Sequence, residues 1–114
     1  MSIFRDIKKF KKEVVGNAVL FNEDCLKVMP EIADKSIDMI LCDLPYGTTA
    51  CKWDIIIPFD KLWEQYNRII KDNGAIVLFG AEPFSSNLRI SNLKYYKYDW
   101  YWKKPRGTGH LNAK

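Results

Sequence analysis

An apolar run broken only by Asp38, Ile37-Asp38-Met39-Ile40-Leu41-Cys42, passes without a spacer into Asp43-Leu44-Pro45-Tyr46-Gly47. Such a run suits a strand covered on both faces, as in a parallel sheet. The acid, the proline and the tyrosine then follow in order at the strand's carboxyl end. Open α/β sheets bind their ligands at that edge. The feature therefore constrains both the architecture and the place where chemistry is to be sought.

The rest of the chain reads as alternating helices and strands. Ile3, Ile7, Phe10 and Val14 share one side of an expected amphipathic helix over residues 3–14, with lysines opposite and Gly16-Asn17 as its stop. Ala18-Val19-Leu20-Phe21 reads as a short strand. Asn22 or Asp24 is placed to cap a helix that carries Leu26, Met29 and Ile32 inward. Phe59, Leu62, Trp63, Tyr66, Ile69 and Ile70 have helical spacing between about Pro58 and Lys71, and Lys71-Asp72-Asn73-Gly74 reads as the helix exit. Ala75-Ile76-Val77-Leu78-Phe79 is a second buried strand, ended by Gly80, and a short helix is expected from Ser85 to Leu93. Tyr96, Tyr98, Trp100 and Trp102 alternate with other residues, so a half-buried strand over 95–103 with its rings in the core is expected. This order predicts an α/β fold: a mostly parallel sheet with flanking helices, in effect half of a Rossmann-like domain.

A length of 114 residues fits one small domain or part of a larger one. No run of 18 or more apolar residues is present, so no membrane span is expected. The N-terminal stretch lacks a signal-peptide core, which leads to an expected cytoplasmic location. Cys25, Cys42 and Cys51 form no C-x-x-C pair, and the single histidine, His110, lies far from them. Neither a disulfide framework nor a metal site is expected. The net charge of +4 gathers at the ends, in Lys8, Lys9, Lys11 and Lys12 and again in Lys94, Lys97, Lys103, Lys104, Arg106 and Lys114. An anionic partner fits that distribution, and so does a solvated surface.

The groups after the first buried strand suit one task. An aromatic amine is a poor nucleophile because its lone pair is delocalised into the ring. Two acceptors holding both amino hydrogens favour a pyramidal nitrogen, whose lone pair can attack a methyl group in line. Asp43 offers a carboxylate, the carbonyl beside Pro45 a second and stiffened acceptor, and Tyr46 a flat face for stacking. A base taken out of a DNA stack is held by such contacts, and stacking on an aromatic ring is worth about 1–3 kcal/mol per base. Leu44, Gly47 and Thr48 would line the pocket around the base. Asp43 is also placed to take up the surplus proton.

With these residues the chain resembles the amino-group DNA methyltransferases, whose motif D/N/S-P-P-Y/F/W follows a strand. The likeness extends to Asn22-Glu23-Asp24-Cys25-Leu26, Leu62-Trp63, Ile69-Ile70-Lys71, Gly74-Ala75-Ile76-Val77-Leu78-Phe79-Gly80 and Trp102-Lys103-Lys104-Pro105. It covers roughly residues 17–114, in the β-type order with the catalytic motif ahead of the cofactor motif. The resemblance implies methyl transfer from S-adenosylmethionine to the exocyclic amine of DNA, at adenine N6 rather than cytosine N4 because an Asp opens the motif. It implies Asp43, Pro45 and Tyr46 as the catalytic set, Asp24 beside the cofactor's adenosine or else capping a helix, and Lys103, Lys104 and Arg106 near phosphate or simply solvated. Residues 1–16 would form a basic amphipathic helix, 17–104 the catalytic half, and 105–114 an irregular tail leading toward a recognition region.

Two departures are visible. Leu44 stands where the family has a first proline. No F-x-G-x-G cofactor loop is found, since Gly107-Thr108-Gly109 follows Lys-Lys-Pro-Arg rather than an apolar strand. The chain therefore reads as the amino-terminal piece of such an enzyme, completed by a missing carboxyl-terminal half or paired as a homodimer. The alternatives are a non-catalytic remnant that at most binds DNA weakly, and methylation of RNA or of a protein glutamine amide.

Overall fold

The structure, a computed structural model, describes residues 3–105. Strand β1 (Lys12–Val15) and strand β2 (Ala18–Phe21) form an antiparallel hairpin. Helix α1 (Cys25–Val28) runs into a short 3-10 turn at Met29–Glu31. Strand β3 (Ile37–Cys42), helix α2 (Phe59–Ile69), strand β4 (Ile70–Leu78) and helix α3 (Phe84–Ser91) follow. β3 and β4 pair in parallel, with α2 as the crossover between them. The protein is thus a small α/β domain, but its strands make two separate two-stranded sheets rather than one mostly parallel layer.

The expected helix over 3–14 is corrected. Gly16-Asn17, taken for a helix stop, is a two-residue hairpin turn between Val15 and Ala18, with Gly16 at φ +57°. Gly-Asn between two short apolar runs is a hairpin signal, and β-branched Val14 and Val15 favour the strand. The preceding segment crosses the 3-10 turn instead of coiling. Arg5 N donates to Glu31 O at 2.7 Å, and Ala33 N donates to Ile3 O at 2.8 Å. Phe4 and Phe10 meet Phe21 edge-on, with ring centroids 5.5 and 6.2 Å away.

The central unit was legible from its apolar spacing. Leu62, Tyr66 and Ile69 on one side of α2 are buried against Met29, Leu44 and Phe84. Ile40 and Cys42 of β3 and Ile76 and Leu78 of β4 pack on the same cluster. The expected exit at Lys71–Gly74 is corrected, because β4 begins directly at Ile70. Gly74 lies at an irregularity in the pairing, between the registers Ile37↔Ile70 and Met39↔Ala75. A Cβ there would come within 2.9 Å of the Asp38 carbonyl oxygen, so only glycine fits the close approach.

Among the described residues, little covers the opposite face of the β3–β4 pair. Met39, Leu41, Val77 and Phe79 are all exposed, although parallel pairs are ordinarily covered on both sides. An apolar face with open strand edges drives association. Concentration-dependent self-association is expected in sedimentation velocity. Lysine at Leu41 and Val77 should suppress it, and a strictly monomeric native chain would contradict the expectation.

The expected strand over 95–103 is absent. Residues 96–104 have no regular structure, and the alternating rings lie outside the core. Alternation supplies a face, but a strand also needs a neighbour to receive its backbone hydrogen bonds, and β4 pairs only with β3 among the described residues. No described helix is long and apolar enough to cross a membrane.

Candidate functional site

The loop after β3 alternates between water and core. Asp43 is exposed and has no ion pair among the described residues. Leu44, expected to line the base pocket, is instead buried in the central cluster, where it anchors the loop from below. Pro45 is half-buried. The Tyr46 ring stacks on Phe84 of α3, with centroids 4.9 Å apart and planes 28° apart. One face of the tyrosine is thereby fixed. Burial, then the charge of Asp43 and its hydrogen bond with the phenol, hold the Tyr46 hydroxyl above the ordinary phenol value. Acid and ring are therefore mutually oriented at the carboxyl end of β3.

The continuation of the loop is organised by a residue the sequence did not single out. Asp54 is buried, and its carboxylate accepts from three successive amides: Gly47 N at 2.8 Å, Thr48 N at 3.1 Å and Thr49 N at 2.7 Å. Gly47, at φ +73°, lets the chain turn back, and a Cβ there would come within 3.0 Å of the Ile56 side chain. Thr48 is exposed, but its amide is committed to Asp54. The only prior signal was that Asp54 is the sole acid between Asp43 and Asp60. Trp53, in the same loop, is exposed and does not pack it.

The Thr49 hydroxyl, followed by the Gly47 amide and its neighbours, holds the Asp54 carboxyl below the usual carboxylate range. A depressed folded value gives stability that is fully present above the ordinary carboxylate pKa and is lost as pH falls through the folded value. The loop is accordingly expected to stay closed through neutral and mildly acidic pH. Asp54→Asn should raise hydrogen exchange of the Gly47, Thr48 and Thr49 amides at neutral pH by at least about tenfold. Unchanged protection of those amides would remove Asp54 from this role.

Other expected site residues are dispersed. Asp24 caps α1, its Oδ1 accepting from Leu26 N at 2.9 Å. Asp24 and Asp43 adjoin Cys25 and Cys42 in the chain. Cys25 and Cys42, their chain neighbours, interact with each other and with Tyr66. Burial, then Asp24 and Cys42, push the Cys25 thiol up, while burial and a hydrogen bond with Cys42 push the Tyr66 phenol up. Lys103 and Lys104 are exposed on the irregular segment. Arg106 and His110 lie outside the described residues. A cleft of about 410 Å³ is lined by Lys9, Phe10, Glu23, Leu26, Lys27 and Pro30, none of them from the Asp43 loop.

No protein-family model matches the chain. No solved structure matches it either.

The described residues do not assemble a cradle for S-adenosylmethionine. Gly16 serves the hairpin, Gly74 the sheet irregularity and Gly47 the Asp54 loop. At the start of α3, where β4 gives way to a helix after Gly80, the Glu82 carboxylate already accepts from the Ser85 and Ser86 hydroxyls. What the loop offers chemically is the acceptor side: an open carboxylate, a stiffened carbonyl and an oriented ring.

Proposed function

We propose that this chain carries the acceptor-base half of an S-adenosylmethionine-dependent DNA amino-methyltransferase of Rossmann-like ancestry, acting on adenine N6 rather than cytosine N4. The observation that carries the reading is the pairing of an exposed Asp43 carboxylate with Tyr46, whose ring Phe84 and Asp43 fix at the end of β3. A carboxylate free of cationic partners retains its acceptor capacity for an incoming NH2 group. The second amino hydrogen goes to the carbonyl beside Pro45. The ring face of Tyr46 away from Phe84 stacks on the base. Asp54 holds the far side of the loop by its amides, so the turn is organised before a base arrives. Asp43 takes up the proton released when the amine becomes substituted.

A non-catalytic remnant is the second reading, favoured by the missing cofactor cradle among the described residues. Calorimetry of the chain with S-adenosylmethionine separates the two. Micromolar binding supports an enzyme, and no heat leaves the remnant. The base-gripping claim itself is tested without cofactor, by whether the chain unstacks a mismatched adenine in duplex DNA in an Asp43-dependent way.

A further inference from the structure

Residues 94–104 combine features that no other surface joins among the described residues. Tyr98 is 70% exposed, Trp100 86%, Tyr101 90% and Trp102 78%. Each such ring carries on the order of 150–250 Å², so together they exceed what a monomer ordinarily leaves bare without a partner. Lys94, Lys97, Lys103 and Lys104 are interleaved with or flank these rings, and none pairs with an acid among the described residues. The one acid of the run, Asp99, is turned aside. Its Oδ2 lies 3.1 Å from Arg89 Nη2 and 3.2 Å from Arg89 Nε. The segment therefore presents flat rings and uncompensated cations.

From this we infer that residues 94–104 form a binding arm for single-stranded nucleic acid, with Trp100 and Trp102 stacking on successive bases and the lysines tracking the phosphates. Charge complementarity excludes a cationic partner. From Lys97 to Lys104 the backbone forms no helix or strand and makes no backbone hydrogen bond among the described residues. In a lipid interface its open amides and carbonyls would be costly, whereas base stacking leaves them in water. Trp102 lies 6.5 Å from Phe79 at the end of β4, which ties the arm to the edge that carries Asp43, and at the start of the arm Tyr96 is held by Asp99 and Arg89. The inference shares with the proposed function only that the partner is a nucleic acid.

Fluorescence anisotropy of a labelled oligothymidylate about 15 nucleotides long, a span covering one stacking groove, tests it on the full chain. Thymine has no exocyclic amine, so the result does not depend on Asp43 chemistry. Binding should be at least about tenfold tighter than to a duplex of equal length. The double variant Trp100→Ala/Trp102→Ala should lose at least about tenfold in affinity. Lys103→Ala/Lys104→Ala should lower the salt slope by about 1.4, at about 0.7 per released phosphate contact. Equal affinity for duplex or heparin would overturn the arm. So would an unaltered affinity in the tryptophan variant, or binding to anionic vesicles without binding to the oligonucleotide.

Discussion

Arg68→Ala is expected to lower the unfolding free energy by about 3 kcal/mol and the melting temperature by roughly 15 °C, at the 4–8 °C per kcal/mol usual for a domain of this size. Arg68 is the fastener between α2 and the entry to β3. Its Nη2 donates to Met29 O at 2.7 Å and to Gln65 Oε1 at 2.8 Å. Its Nη1 donates to Ile32 O at 2.7 Å and to Asp34 Oδ1 at 2.6 Å. The same turn closes the helix in return, because Lys35 N and Ser36 N donate to the last carbonyls of α2, those of Arg68 and Ile69. Truncation would strand the part-buried Ile32 carbonyl and leave Met29 O with only the Ile32 amide. Hydrogen bonds to a charged donor contribute about 1.5–3 kcal/mol each and are not additive.

Asp34 is mostly exposed, so its share is screened by water. Asp34→Asn should therefore cost much less than Arg68→Ala. Lysine at position 68 should not rescue, since one ammonium cannot reproduce the planar fork. A loss of less than about 1 kcal/mol in Arg68→Ala, read by urea denaturation, would show that the domain holds together without it.

The second large effect is functional. In any setting where methyl transfer to DNA is observed, Asp43→Ala should reduce the rate by about three orders of magnitude or more, in line with losing an acceptor aimed at developing charge. Asp43→Asn should fare little better. It keeps one oxygen acceptor, but its amide donors oppose the NH2 group and it cannot take the proton. Phe84→Ala should reduce the rate by a smaller factor, because it frees the Tyr46 ring without touching the acceptor. Activity retained in Asp43→Ala would reject the assigned role.

The sequence made the β3–α2–β4 unit legible for a physical reason. A strand buried against a helix shows a run of apolar residues, and Leu62, Tyr66 and Ile69 repeat at the helical period. Asp43 at the strand end followed from the same register. The N-terminal hairpin is hidden because Ile3, Ile7, Phe10 and Val14 fit a helical period by coincidence, while Gly16-Asn17 suits a helix stop as well as a hairpin turn. Gly74 is hidden in a related way, since a glycine forced by a close backbone approach resembles one that ends a helix. The aromatic segment carried a strand's alternation without a strand's neighbour, which is a property of the whole sheet and not of eight or so residues.

Within the site, Asp54 escaped notice because its partners are backbone amides, which leave no residue signature. Phe84 escaped notice because stacking on Tyr46 joins elements distant in sequence. Asp24 had two readings open. The hydrogen bond to Leu26 N accounts for its carboxylate through the helix cap.

The most direct test uses a DNA duplex with a mismatched adenine beside a 2-aminopurine reporter, whose fluorescence rises when the neighbouring base leaves the stack. The wild-type chain should produce a saturable rise that Asp43→Ala and Tyr46→Ala each abolish while circular dichroism remains unchanged. A signal identical in wild type and Asp43→Ala, or no rise at saturating protein, would contradict the account that this loop grips a nucleobase by its amine.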